Sequence, residues 1–123
     1  QKRPNEEIVI LVSSLPRISA LGLPFLFTDS HAYYQWANFY SNMADLDKID
    51  WPLLQKRDFK RDPDDPAKFE RYQAEALIHR YLPVTGLRGI VCYTDALKNL
   101  IVQEIQTRHL SLPVHARAEW YFR

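Results

Sequence analysis

The residues in this chain whose types could do chemistry are one glutamate, four histidines and a cluster of basic side chains. Glu75 lies just before the apolar run Ala76-Leu77-Ile78 and directly after the most charged loop of the sequence. Read as one strand from Phe69 to Leu82, the segment puts Glu75 and Leu77 on one face and Ala76, Ile78 and Arg80 on the other. A carboxylate sharing a face with a core leucine either pairs with a cation, here Arg71 or Arg80, or looks into a cleft. His31, His79, His109 and His115 have no ligand-like spacing, which argues against a metal centre. His109 closes a helix, where a cation is favoured by the dipole, and His115 carries no assignment. His31 stands at an expected helix start just after a strand, a position equally suited to a site residue or a satisfied polar group. No serine occupies a nucleophile-elbow context and Cys92 has no adjacent base, so covalent catalysis is unsupported.

The basic cluster is Lys56, Arg57, Lys60 and Arg61 around Phe59, followed by Asp62-Pro63-Asp64-Asp65-Pro66. The prolines and aspartates forbid regular structure and predict a long surface loop. Cations beside an exposed ring suit single-stranded nucleic acid, the charges following phosphates and the ring stacking a base. A merely solvated loop explains such a run as well.

These residues need elements to hold them. A chain of 123 residues with 46% hydrophobic and 25% charged residues is long enough for one domain with a real core. The net charge of +1 gives no global field for nucleic acid or membrane, so any such site rests on local clustering. With a single cysteine no internal disulfide forms, and Cys92 reads as a buried strand residue. No apolar run reaches membrane-spanning length and no signal-peptide core is visible, so a cytoplasmic setting is expected.

Ile8 to Val12 reads as a strand covered on both faces. Ser13 or Ser14 caps a short helix stopped by Gly22, and Phe25 to Thr28 forms a second strand. A helix is expected from about His31, with Trp36, Tyr40 and Met43, and likewise Tyr33, Ala37 and Tyr40, at helical spacing; most of its rings would pack on the core, with a ring or two left to line a cleft. Asp50 caps another short helix with Pro52 near its start. Gly89 to Tyr93 is a strand, and Asp95 caps a helix whose apolar stripe is Leu97, Leu100, Ile101 and Ile105. Val114 to Phe122 is a closing strand or pair of strands. The sum is an α+β fold with a mixed or antiparallel sheet core and short flanking helices. With 3 glycines no glycine-rich phosphate cradle exists.

Five blocks of this sequence, Phe25-Leu26-Phe27-Thr28-Asp29-Ser30-His31-Ala32, Leu46-Asp47-Lys48-Ile49-Asp50-Trp51, Arg71 to His79, Gly89-Ile90-Val91 and Trp120-Tyr121-Phe122, resemble the DarT family in order and spacing. The resemblance runs from about Glu7 to the C-terminus. It implies an ADP-ribosyltransferase-like fold and a DNA ADP-ribosyltransferase toxin of a bacterial toxin–antitoxin system, with NAD as co-substrate and no metal. Thymine bases in single-stranded DNA are the implied target, and a macrodomain antitoxin the implied partner. The family's catalytic glutamate sits in a Gln-Ala-Glu motif, here Gln73-Ala74-Glu75, which makes Glu75 catalytic and places Gln73 with His31 at the NAD site. The loop before it, with Lys56, Arg57, Phe59, Lys60 and Arg61, together with Arg71, would hold DNA. The family also has a portion ahead of the first apolar strand that helps bind NAD, so the 123 residues are expected to be one domain incomplete at its N-terminus. A degenerate single-strand-binding domain without the NAD half is the alternative.

Overall fold

A computed structural model describes residues 3–57, 60 and 62–121. Its chain divides into two units, Gln1–Leu21 with Leu82–Arg123, and Gly22–Tyr81, each built on its own three-stranded sheet.

In the first unit, strands β1 (Ile10–Val12), β5 (Gly89–Cys92) and β6 (Val114–Ala116) lie in the order β1-β5-β6, antiparallel then parallel. The apolar run of β5 is buried throughout, as a central strand requires. Helix α4 (Asp95–Thr107) covers β5 and β6, setting Leu97, Ile101, Val102 and Ile105 against Ile90, Cys92 and Val114. Two details of the expected helix are corrected. The cap is Thr94, whose hydroxyl accepts from the Leu97 amide at 3.2 Å, and Asp95 is the first helical residue. Leu100 lies outside the packed stripe, 59% exposed, and Val102 takes its place.

Strand β1 is shorter than expected and is covered on one side only. It pairs with β5 at an edge of the sheet, beyond the strands on which α4 packs, so Val9 and Leu11 stay exposed. The closing segment is also less regular than a strand, since β6 ends at Ala116 and a 3-10 turn runs over Ala118–Trp120. The Tyr121 hydroxyl donates to the Ile8 carbonyl at 2.7 Å, fastening that turn to the chain ahead of β1. Helix α1 (Leu15–Ala20) forms as read, with Ser14 accepting from the Arg17 amide and Gly22 at φ +71° ending it.

In the second unit, β2 (Phe25–Thr28) is central, with β3 (Phe39–Tyr40) and β4 (Ala76–Ile78) antiparallel on either side. Phe27 is buried and its ring stacks on Tyr40 at 5.5 Å. The helix expected from His31 does not form. The chain instead makes tight turns and returns as β3, because the Asp29 carboxylate accepts from both the Asn38 amide (3.0 Å) and its side-chain amide (2.8 Å). Closing that excursion lets Phe39 and Tyr40 pair with Thr28 and Phe27, and strand pairing outweighs the helical spacing of the rings.

Helix α2 (Trp51–Lys56) carries the Asp50 cap and early proline read from the sequence. The single strand expected over Phe69 to Leu82 is corrected to a short helix α3 (Lys68–Arg71), a turn, and β4. Leu77 is no core residue; it and its partner Leu26 are 38% and 41% exposed. The whole is the expected α+β arrangement of small mixed and antiparallel sheets with short helices. Among the described residues no helix is long and apolar enough to cross a membrane.

Candidate functional site

Glu75 is held by the strand that faces it. The pairing of β2 with β4 sets Phe27 opposite Ala76, so the ladder continues with Thr28 opposite Glu75. The Thr28 amide donates to the Glu75 carbonyl at 2.8 Å, and the Glu75 amide donates to Thr28 Oγ1 at 3.1 Å. Thr28 is fully buried, and its hydroxyl in turn donates to the Ser30 carbonyl at 2.5 Å. A backbone fixed at both its donor and its acceptor gives the side chain a defined origin.

The carboxylate itself is half-occupied. Oε1 accepts from the Ala32 amide at 3.2 Å, and Oε2 accepts nothing among the described residues. The cation pairing considered for Glu75 is not made, because Arg71 is engaged elsewhere. The Arg71 Nε donates to Asp50 Oδ2 at 2.9 Å, and its two terminal nitrogens donate to both oxygens of Asp65 at 3.0 and 2.5 Å. Such a fork is the strongest geometry available to a guanidinium. The hydrogen bond from Arg71 holds the Asp65 carboxyl below its usual range, and the same bond raises the already high pKa of Arg71. Asp50 thus has two tasks, capping α2 through Oδ1 and binding Arg71 through Oδ2.

Ala32 brings the histidine of the same turn to the site. The His31 Nδ1 accepts from the Tyr33 amide at 3.0 Å, so in the neutral ring the proton sits on Nε2. Its ring meets Tyr33 and Tyr34 edge-on, at 6.3 and 5.8 Å. Gln73 follows α3, and its Oε1 is buried and accepts no hydrogen bond among the described residues. A buried orphan acceptor costs free energy unless a ligand supplies the donor. Of the polar atoms here, Glu75 Oε2 and Gln73 Oε1 are acceptors and His31 Nε2, in the neutral ring, is a donor.

The basic loop is placed only in part. Lys56 and Arg57 end α2 and are exposed, with Arg57 in the left-handed region at φ 52°. The Lys60 carbonyl accepts from the ammonium of Lys68 at 2.8 Å. Phe59 and Arg61 lie outside the described residues. Thr28, the Ala32 amide and Asp65 were given no site role from the sequence, and of these only Thr28, a polar residue ending the Phe25–Thr28 strand, left a local trace; Trp36 was read as one of the rings of a helix. Among the described residues no three His, Cys, Asp or Glu side chains gather closely enough for a metal ion.

Comparison with known proteins sets this geometry in context. A family model described as "ssDNA thymidine ADP-ribosyltransferase, DarT" matches residues 1–122. A DNA ADP-ribosyl transferase of Escherichia coli O127:H6 is 57% identical over 122 residues, covering 99% of this chain and 56% of that protein. The structure of Thermus sp. 2.9 DarT in complex with carba-NAD+ superposes with a TM-score of 0.89 at 26% identity, over 99% of this chain and 62% of that one. The same protein in complex with ADP-ribosylated ssDNA gives 0.86 at 27% identity, over 95% of this chain and 56% of that one. The chain therefore spans little more than half the length of the relatives it matches.

Proposed function

The chain belongs to the DarT family, and from that premise we propose that it carries the catalytic carboxylate of an enzyme that splits NAD and transfers ADP-ribose to thymine in single-stranded DNA. The observation that carries the proposal is Glu75, rigidly based on Thr28 and with Oε2 open. Breaking the nicotinamide–ribose bond releases neutral nicotinamide with the bonding electrons and leaves oxocarbenium-like charge on the sugar. A fixed carboxylate hydrogen-bonded to the ribose stabilises that charge more in the transition state than in the ground state.

The other residues take supporting parts. Gln73 Oε1 and His31 Nε2 offer an acceptor and a donor to the NAD ribose or carboxamide. Lys56, Arg57, Lys60 and Arg61 with Phe59 hold the strand, phosphates on the cations and a base on the ring. Arg71 joins them when a phosphate competes with Asp50 and Asp65 for its guanidinium. A toxin role, with a macrodomain antitoxin that removes the mark in the cytoplasm, follows from the family resemblance. These assignments concern the whole protein, of which the chain supplies the Glu75 side.

Incubation with NAD and thymidine-containing single strands tests the proposal, comparing the protein with its Glu75→Ala variant by gel shift and mass. A modified oligonucleotide is expected only with Glu75 present. Equal modification by the variant would remove the catalytic assignment.

A further inference from the structure

The face of the first sheet turned away from α4 carries charge as well as apolar surface. Strand pairing sets Val12 opposite Gly89 and Val91 opposite His115, so these residues share that face, while Ile90, Cys92 and Val114 pack toward the helix. A cavity of about 210 Å³ opens there, and its lining includes Val12, Val91, Arg88, His115, Arg117 and Trp120. It lies wholly within one unit, and none of its residues takes part in the chemistry assigned above.

The charge of this lining is of one sign. Among the described residues it holds two arginines and a histidine, and no aspartate or glutamate. Arg88 is exposed, and its guanidinium has no hydrogen-bond or ion-pair partner among the described residues; only its amide is used, donating to the Val12 carbonyl at 2.6 Å. Arg117 donates from Nη1 to the adjacent Ala116 carbonyl at 3.1 Å and meets the Glu119 carboxylate only at 4.0 Å, which leaves most of its fork to offer. Trp120 is 47% exposed beside them.

These groups match a particular ligand chemistry. Guanidinium forks fit phosphate oxygens in pairs. A terminal phosphate carries about −1.5 to −2 charges at neutral pH, against about −1 for an internal phosphodiester, so two arginines answer the terminal group better. An indole face stacks a base and has little rotamer freedom to lose. A cavity smaller than that of a drug-sized ligand limits the occupant to about one nucleotide.

We propose that this cavity is a nucleotide site in which Arg88 and Arg117 hold a terminal phosphate, His115 donates a ring N–H to it and Trp120 stacks the base. The occupant is a nucleoside monophosphate, either free or as the phosphorylated end of a strand. The proposal goes beyond the transferase reading and does not depend on it, since it uses no residue of the Glu75 site.

Isothermal titration calorimetry of the protein with deoxyadenosine 5′-monophosphate, deoxyadenosine and inorganic phosphate tests it. The monophosphate is expected to bind at least about tenfold more tightly than either part alone. With Arg88→Ala and Arg117→Ala combined, its affinity should fall at least about tenfold and the preference over deoxyadenosine should vanish. Trp120→Ala should lose about tenfold, while Trp120→Phe, which keeps a ring, should retain most of the affinity. Circular dichroism and the unfolding midpoint monitor the fold of each variant. Fluorescence anisotropy with single strands differing only in a 5′-phosphate separates the two sources. Tighter binding of the phosphorylated strand, lost in the double-arginine variant, identifies a strand end; indifference to the 5′-phosphate, with the mononucleotide still bound, identifies a free nucleotide. The site is overturned if the monophosphate binds no more tightly than deoxyadenosine. It is equally overturned if the folded double-arginine variant binds the monophosphate as the parent does, and loss of that binding in His31→Ala would then place the nucleotide at the Glu75 site instead.

Discussion

Thr28 grips Glu75 on both sides of its backbone, the amide of each residue donating to an oxygen of the other at 2.8 and 3.1 Å. The carboxylate proposed to meet the ribose is thus positioned by a buried threonine of the neighbouring strand. Replacing Thr28 with valine keeps the shape and removes the hydroxyl, leaving the Glu75 amide unsatisfied in a buried setting. Thr28→Val should cost about 1–3 kcal/mol in urea unfolding and lower kcat more than it raises the KM for NAD.

Glu75→Gln preserves side-chain length and an oxygen for the Ala32 amide. It removes only the charge on which the proposed catalytic role depends. Transfer should fall by about 10²–10³-fold, with an unchanged circular dichroism spectrum and unfolding midpoint, measured by single-turnover labelling of an oligonucleotide.

The Asp50–Arg71–Asp65 clamp carries a pH signature. Arg71 depresses the Asp65 pKa in the folded state, so the clamp adds stability above the unfolded value of about 3.9. That contribution is lost as pH falls through the lower folded value. Asp65→Asn should be less stable than the parent at neutral pH, and the gap should narrow on acidification to about pH 3. Guanidinium melts at stepped pH would measure it.

Cys92 is fully buried in β5, and burial pushes its thiol above the ordinary range. A disulfide-exchange reagent at neutral pH should label it only after unfolding, and labelling should track the unfolding curve in denaturant. Rapid labelling of the native protein would contradict the packing of β5.

How far the fold was legible follows from how local each determinant is. Ser14 and Asp50 were readable as caps because a cap and the amide it serves lie within one turn. Strand β5 was readable because a central strand needs an unbroken apolar run. Residues 31–40 misled because their ring spacing fits a helix, and what decides against one is the reach of Asp29 to Asn38 together with pairing to β2. Leu100 and Val102 exchanged roles since the position of a stripe depends on which side of α4 meets β5 and β6, a tertiary choice. At the candidate site, Glu75 drew notice by its place before an apolar run. Its anchors were hidden because Thr28 and Ala32 lie more than forty residues away in sequence.

The two sheets also differ in when they can be assembled. The strands of the Gly22–Tyr81 unit all fall between Phe25 and Ile78, and the His79 amide donates to the Pro24 carbonyl at 3.1 Å, closing that segment on itself. Strand β1, by contrast, emerges from the ribosome early and finds its partner only when Gly89–Cys92 has been made. Loop-closure entropy therefore delays the sheet containing β1, while the segment bearing Glu75 can pair as soon as Ile78 is available. During synthesis the strand that follows Glu75 is ordered first, and the exposed Val9 and Leu11 edge waits as the region most open to chaperones and to misassembly.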